Sequence, residues 1–115
     1  MKLNLIIISI VFFSTISFSQ TKSEMIFVDG ACGMCEKRIE KTCLNTKGVK
    51  MANWNKESRI LKVIFNEKKI SLKELNKIIA SIGHDTKLET ASEEDYNKLD
   101  MCCKYRDEEV VKNHK

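Results

Sequence analysis

The stretch GACGMCEKRIEK, Gly30 to Lys41, sets two thiols, Cys32 and Cys35, on a glycine-rich turn just before a charged run of helix formers. C-x-x-C spacing at that point puts both sulfurs near a helix N-terminus. The unsatisfied N–H groups and the positive dipole end favour thiolate there, so both thiol pKa values are expected to fall. Soft thiolates select Cu(I), Zn(II) or other thiophilic ions. The same geometry activates a redox dithiol, and a plain structural disulfide is a third reading. The local motif leaves all three open.

Working outward, EMIFVD (24–29) reads as a strand entering the turn, and EKRIEKTCLNTK (36–47) as a helix with Ile39, Cys43 and Thr46 on one face. VKMANWN (49–55) is a short strand. In ESRILKVIFN (57–66) Leu61, Val63 and Phe65 alternate inward, and Asn55 to Ser58 make the hairpin turn between the two. Ser71 and Glu74 form a capping box for a second helix, with Leu72, Leu75, Ile79 and Ile82 as its apolar face and Gly83 as its stop. DTKLET (85–90) reads as a last, weak strand. The order is strand, helix, strand, strand, helix, strand over residues 24–90, an α+β arrangement with two helices packed on one face of a four-stranded antiparallel sheet.

The ends stand apart from this domain. Lys2, the apolar run LNLIIISIVFF and the small residues at Ser17 and Ser19 describe a secretory signal over residues 1–19, cut after Ser19. A permanent membrane anchor is the weaker reading, because Asn4 and several Ser and Thr interrupt a run shorter than the ~20 apolar residues a span needs. The mature chain is therefore expected to be exported, in the periplasm, with no stable membrane insertion after cleavage. In that compartment thiols oxidise unless a metal or partner protects them. The chain has five cysteines, an odd number, so at least one thiol cannot pair within it. Residues 91–115 form a C-terminal tail, with a short helix capped by Ser92 and adjacent thiols at Cys102 and Cys103. A net charge of +4, with acidic and basic residues interspersed and no polybasic aromatic patch, argues against a nucleic-acid partner.

Redox catalysis fits the chain poorly. A thioredoxin-like enzyme needs a larger fold and a proline facing its dithiol, and this chain contains no proline. A Cys32–Cys35 disulfide would close a tiny loop and stabilise little. The segments GACGMCEKRIEK, GVKMANWN, LKVIFN and IIASIGHDT, taken together, resemble the heavy-metal-associated domain. That family includes copper chaperones, N-terminal modules of copper-transporting P-type ATPases and periplasmic mercury scavengers. The resemblance spans residues 24–88 and implies the ferredoxin-like βαββαβ sandwich with Cu(I), or a similar soft ion such as Hg(II) or Zn(II), held by Cys32 and Cys35. One departure stands out: the family loop carries Met two places before its first Cys, whereas here that place is Gly30 and a Met falls inside the pair, at Met34.

Other residues extend the candidate site. His84 lies in the loop that approaches the metal in the family, as a further ligand or a hydrogen-bond partner for a thiolate; the alternative is a solvated His after a helix stop. Cys43 matches a core position and reads as a small buried hydrophobe, Trp54 as core, and Met34 as an exposed docking residue. Adjacent cysteines bond each other only with strain, so Cys102 and Cys103 either fold back to supply soft ligands or pair elsewhere. The expectation is a non-enzymatic, exported carrier whose exposed thiolates pass the ion to a metal-transporting P-type ATPase or another metal-binding protein, as a monomer or metal-bridged dimer. Mercury binding and a small thiol–disulfide redox protein are the alternatives.

Overall fold

The computed structural model describes residues 21–113, and the expected export signal, residues 1–19, lies outside them. Three strands, β1 (Thr21–Phe27), β2 (Val49–Trp54) and β3 (Ile60–Asn66), form an antiparallel sheet in the order β1-β3-β2. Register places Leu61 opposite both Ile26 and Trp54, and Val63 opposite Glu24 and Ala52. Alternation does the rest: Leu61, Val63 and Phe65 are buried on the inner face with Ile26 and Trp54. Against that face lie α1 (Gly33–Leu44), through Cys35, Ile39 and Cys43, and α2 (Leu72–Ser81), through Leu75 and Ile79. Leu72 and Ile82 are half-buried at the edge of the stripe, as is Thr46 on the α1 side.

The local signals act as their chemistry requires. Ser71 Oγ accepts from Glu74 N at 3.1 Å and caps α2. The side chain of Asn55 accepts from both Glu57 N and Ser58 N at 2.9 Å, tightening the β2–β3 hairpin.

A fourth strand does not form among the described residues. At Asp85–Thr90 the contact with β1's continuation is one antiparallel bridge, Val28 to Thr86, beside a bond from Asp29 N to Asp85 O of 2.8 Å. The chain bends at once because Thr86 Oγ1 accepts from Leu88 N and Glu89 N, and Thr86 N donates to Glu89 O. The Asp85 amide is also taken, by Tyr105 Oη at 2.8 Å. A strand needs those groups for its ladder, and local turn bonds and the tail use them first.

The tail wraps back over the domain as α3 (Glu93–Asn97), a 3-10 turn (Met101–Cys103) and α4 (Glu108–Lys112). Ser92 caps α3 by accepting from Asp95 N, as its position in the sequence suggests. Gly83, at φ +98°, lets the chain leave α2 directly beneath α3. A Cβ there would lie 2.8 Å from Asp95 O and 3.1 Å from Leu99 Cδ2. No helix among the described residues is long and apolar enough to cross a membrane.

Candidate metal centre

Helix α1 begins three residues earlier than its charged run suggests, so Cys32 is its N-cap and Cys35 lies in its first turn. The Cys32 sulfur gathers further partners at the start of the helix. Those partners are thiols. Cys32 Sγ lies 3.4 Å from Cys35 Sγ, 3.1 Å from Cys103 Sγ and 3.6 Å from Cys102 Sγ, and Cys102 and Cys103 are 3.9 Å apart. The ligand atoms of Cys32, Cys102 and Cys103 all fall within 4.8 Å of one another. With metal–sulfur bonds of about 2.3 Å, three sulfurs around a trigonal ion stand about 4 Å apart. The metal-free spacing is already close to that.

Exposure differs from the sequence reading. The expected carrier passes its ion from exposed thiolates, but Cys32 is 5% exposed and Cys35 fully buried. The tail supplies the cover, since Cys103 is also fully buried and Cys102 half-buried. All five thiols are free. Cys43 is buried between α1 and the sheet, and its thiol is pushed up to about 12 by burial and by Glu40. It is a core residue, inert as a ligand.

Ionisation is shared unequally among the clustered thiols. Burial pushes the Cys32 thiol up, but hydrogen bonds from Cys103, the Cys35 backbone, the Cys35 thiol and Cys102 outweigh it, and the net shift is downward. Burial wins at Cys35, which is raised, although Ala31 N donates to its sulfur at 3.5 Å. Burial, then the Cys35 and Cys32 sulfurs, push Cys103 up to about 12; burial with the Cys32 and Cys103 sulfurs does the same at Cys102. The expectation that both C-x-x-C thiols fall is thus corrected. One negative charge in a tight sulfur cluster disfavours a second, so the helix end activates Cys32 alone.

One neighbour escaped the sequence reading. Arg38 sits one turn after Cys35 on the same face of α1, bonds Asp100 at 3.2 Å, and has a buried Nη1 without a partner. Burial lowers its pKa, but Cys103 foremost, then Cys35 and Asp100, hold it above the usual range. This cation can neutralise thiolate charge, and its i, i+3 spacing from Cys35 was the available signal. Met34, expected as an exposed docking residue, brings its Sδ to 3.3 Å from Cys102 Sγ.

His84 stands outside the group of mutually close ligand atoms. It is fully buried, with Nδ1 2.8 Å from Asp29 O, its ring stacked on Tyr105 and its Nε2 unpartnered. Desolvation lowers its pKa to about 4, so it is a neutral imidazole at ordinary pH. Gly30 meets Trp54: a Cβ on Gly30 would lie 2.9 Å from Trp54 Cζ2, and the indole donates to Val28 O at 2.9 Å. The indole fills the space that a side chain at position 30 would need.

The heavy-metal-associated domain sequence model matches residues 25–85, so the tail cysteines fall beyond the match. Among solved structures, the chain is similar to a CopZ metallochaperone at 27% identity, over 56% of this chain and 98% of that one, with a TM-score of 0.55. It is similar to oxidised MerP from Ralstonia metallidurans CH34 at 27% identity, over 57% and 93% of the two chains, with a TM-score of 0.55. A third is the N-terminal domain of a potential copper-translocating P-type ATPase from Bacillus subtilis in the Cu(I)-loaded state. It is 27% identical over 64% and 92% of the two chains, with a TM-score of 0.56. No curated protein matches the chain.

Proposed function

Given that the chain belongs to the heavy-metal-associated domain family, we propose that it is an exported carrier of a soft metal ion, Cu(I) in preference, held by Cys32, Cys35, Cys102 and Cys103. The observation that carries this reading is the convergence on Cys32 Sγ of three other sulfurs within 3.6 Å. Thiolate sulfur favours Cu(I) among the ions available to such a site. The Cu(I)-loaded state of the similar ATPase domain supports the same ion, and the potential P-type ATPase to which that domain belongs supports a partner of that kind.

Transfer proceeds by ligand exchange. A partner thiolate bonds the ion, coordination rises by one, and one of this chain's sulfurs lets go. Cys32, the thiol most easily ionised, anchors the ion, and Arg38 offsets the charge that builds as Cys103 loses its proton. Coordination by tail and loop together retains the ion more firmly than two exposed thiolates would.

The test is anaerobic loading of the reduced chain with Cu(I), Hg(II) and Zn(II) in competition, followed by native mass spectrometry. Expected is preferential uptake of Cu(I), abolished in the Cys32→Ala, Cys35→Ala double variant. Unchanged tight binding in that variant would remove the assignment. Preferential Hg(II) uptake would make the protein a mercury scavenger.

A further inference from the structure

Resting on the soft-metal reading above, we propose that Met34 and Cys102 form the port through which the ion comes and goes, the outer end of a sulfur relay leading in to Cys32 and Cys35. Three observations carry this. The sulfurs form an unbroken series: Met34 Sδ to Cys102 Sγ is 3.3 Å, Cys102 to Cys32 is 3.6 Å, and Cys32 to Cys35 is 3.4 Å. Two sulfurs each about 2.3 Å from a shared ion lie at most about 4.6 Å apart, so an ion can bridge every step without backbone movement. Exposure also falls along the series, from 49% at Met34 through the half-buried Cys102 to 5% at Cys32 and none at Cys35. Finally, Met34 is the outermost sulfur of the series, and a partner can reach it while the tail stays docked.

Thioether chemistry suits a transit ligand. Methionine sulfur is soft and neutral, carries no proton to lose, and sits on an unbranched side chain that follows a moving ion. It binds a soft cation without holding it. The ion keeps its charge throughout. On the way in, Met34 and Cys102 bond the ion as Cys102 releases its proton. The Cys32–ion bond then forms, the Met34–ion bond breaks, and Cys35 or Cys103 completes coordination, each losing a proton as it binds. The outward path reverses these steps, with a partner thiolate bonding the ion while Met34 holds it.

Kinetics separates a port from a static ligand. Stopped-flow transfer of Cu(I) between the full-length reduced protein and the chromophoric chelator bathocuproine disulfonate gives uptake and release rates, and equilibrium competition gives affinity. Leu conserves the volume of Met at this exposed position. Met34→Leu should slow uptake and release alike by about tenfold, leaving affinity within about twofold of the wild type. Unchanged rates would overturn the port. A fall in affinity that matches a faster release would overturn it too, by making Met34 an ordinary ligand. Failure of the wild-type chain to take up Cu(I) at all would instead sink the soft-metal reading, and the port with it.

Discussion

The Sγ atoms of Cys32 and Cys103, 71 residues apart in the chain, lie 3.1 Å from one another. This contact ties a tail that lies outside the family match to the loop at the centre of that match. The thiols form one cluster only while the tail is docked, so metal affinity and tail docking are linked quantities. Whatever binds across the contact stabilises the docked tail, and whatever undocks the tail weakens binding.

A chain ending at Thr90 loses two of the four clustered thiols and uncovers Cys32 and Cys35. It should bind Cu(I) more weakly than the intact chain by at least about 10–100-fold, the range that changes in the supporting partners of a metal site produce. Equal affinity and equal stoichiometry in a chelator competition would show that Cys102 and Cys103 serve another purpose.

Tyr105 fastens the tail. Its hydroxyl donates to Gly83 O at 2.6 Å and accepts from Asp85 N at 2.8 Å, while its ring packs on His84 and Tyr96. Tyr105→Phe keeps the ring and leaves a buried carbonyl and amide unpaired, at a cost of about 1–3 kcal/mol. Hydrogen exchange should quicken across residues 92–107 while β3 stays protected. Unaltered tail protection would assign the docking to the side chains around Arg106 instead.

Gly30→Ala puts a methyl group 2.9 Å from the Trp54 ring. The indole is 1% exposed and hydrogen-bonded to Val28 O, so it has little room to retreat. A loss of about 1–3 kcal/mol is expected from such overpacking, with a shifted Trp54 emission in the folded state. Urea unfolding followed by fluorescence reads both at once, and wild-type values for both would mean that the loop yields without strain.

His84 gives the metal-free fold a pH dependence. Its pKa falls from 6.5 to about 4 on folding, chiefly by desolvation, so between those values the unfolded chain binds more protons than the folded one. The stability contributed by neutral His84 is complete above about pH 6.5 and is lost as pH falls toward 4. The wild type should therefore lose up to about 3 kcal/mol more than His84→Gln over that interval. Parallel urea-denaturation curves for the two proteins from pH 7 to pH 4 would contradict the burial of a neutral imidazole.

Much of the architecture was legible in local pattern. Alternating Leu61, Val63 and Phe65, the Ser71 cap, the Asn55 turn and the stop at Gly83 act over a few residues, and the structure uses each of them. The C-x-x-C pair at the start of α1 is equally local, because the N-cap and first turn set Cys32 and Cys35 side by side. Tertiary structure decided the rest. The strand expected at Asp85–Thr90 shrank to one bridge because Tyr105, from the tail, takes the Asp85 amide and Thr86 closes its own turn. Cys32 alone is lowered because three other thiols crowd it, two of them from a segment that no short window joins to the loop. Periodicity and capping belong to neighbours along the chain, so sequence determined α1, α2, the short helix after Ser92, the three strands and the first thiol pair. Sulfur clustering and burial depend on where a distant segment comes to rest, and only the docked tail settles that.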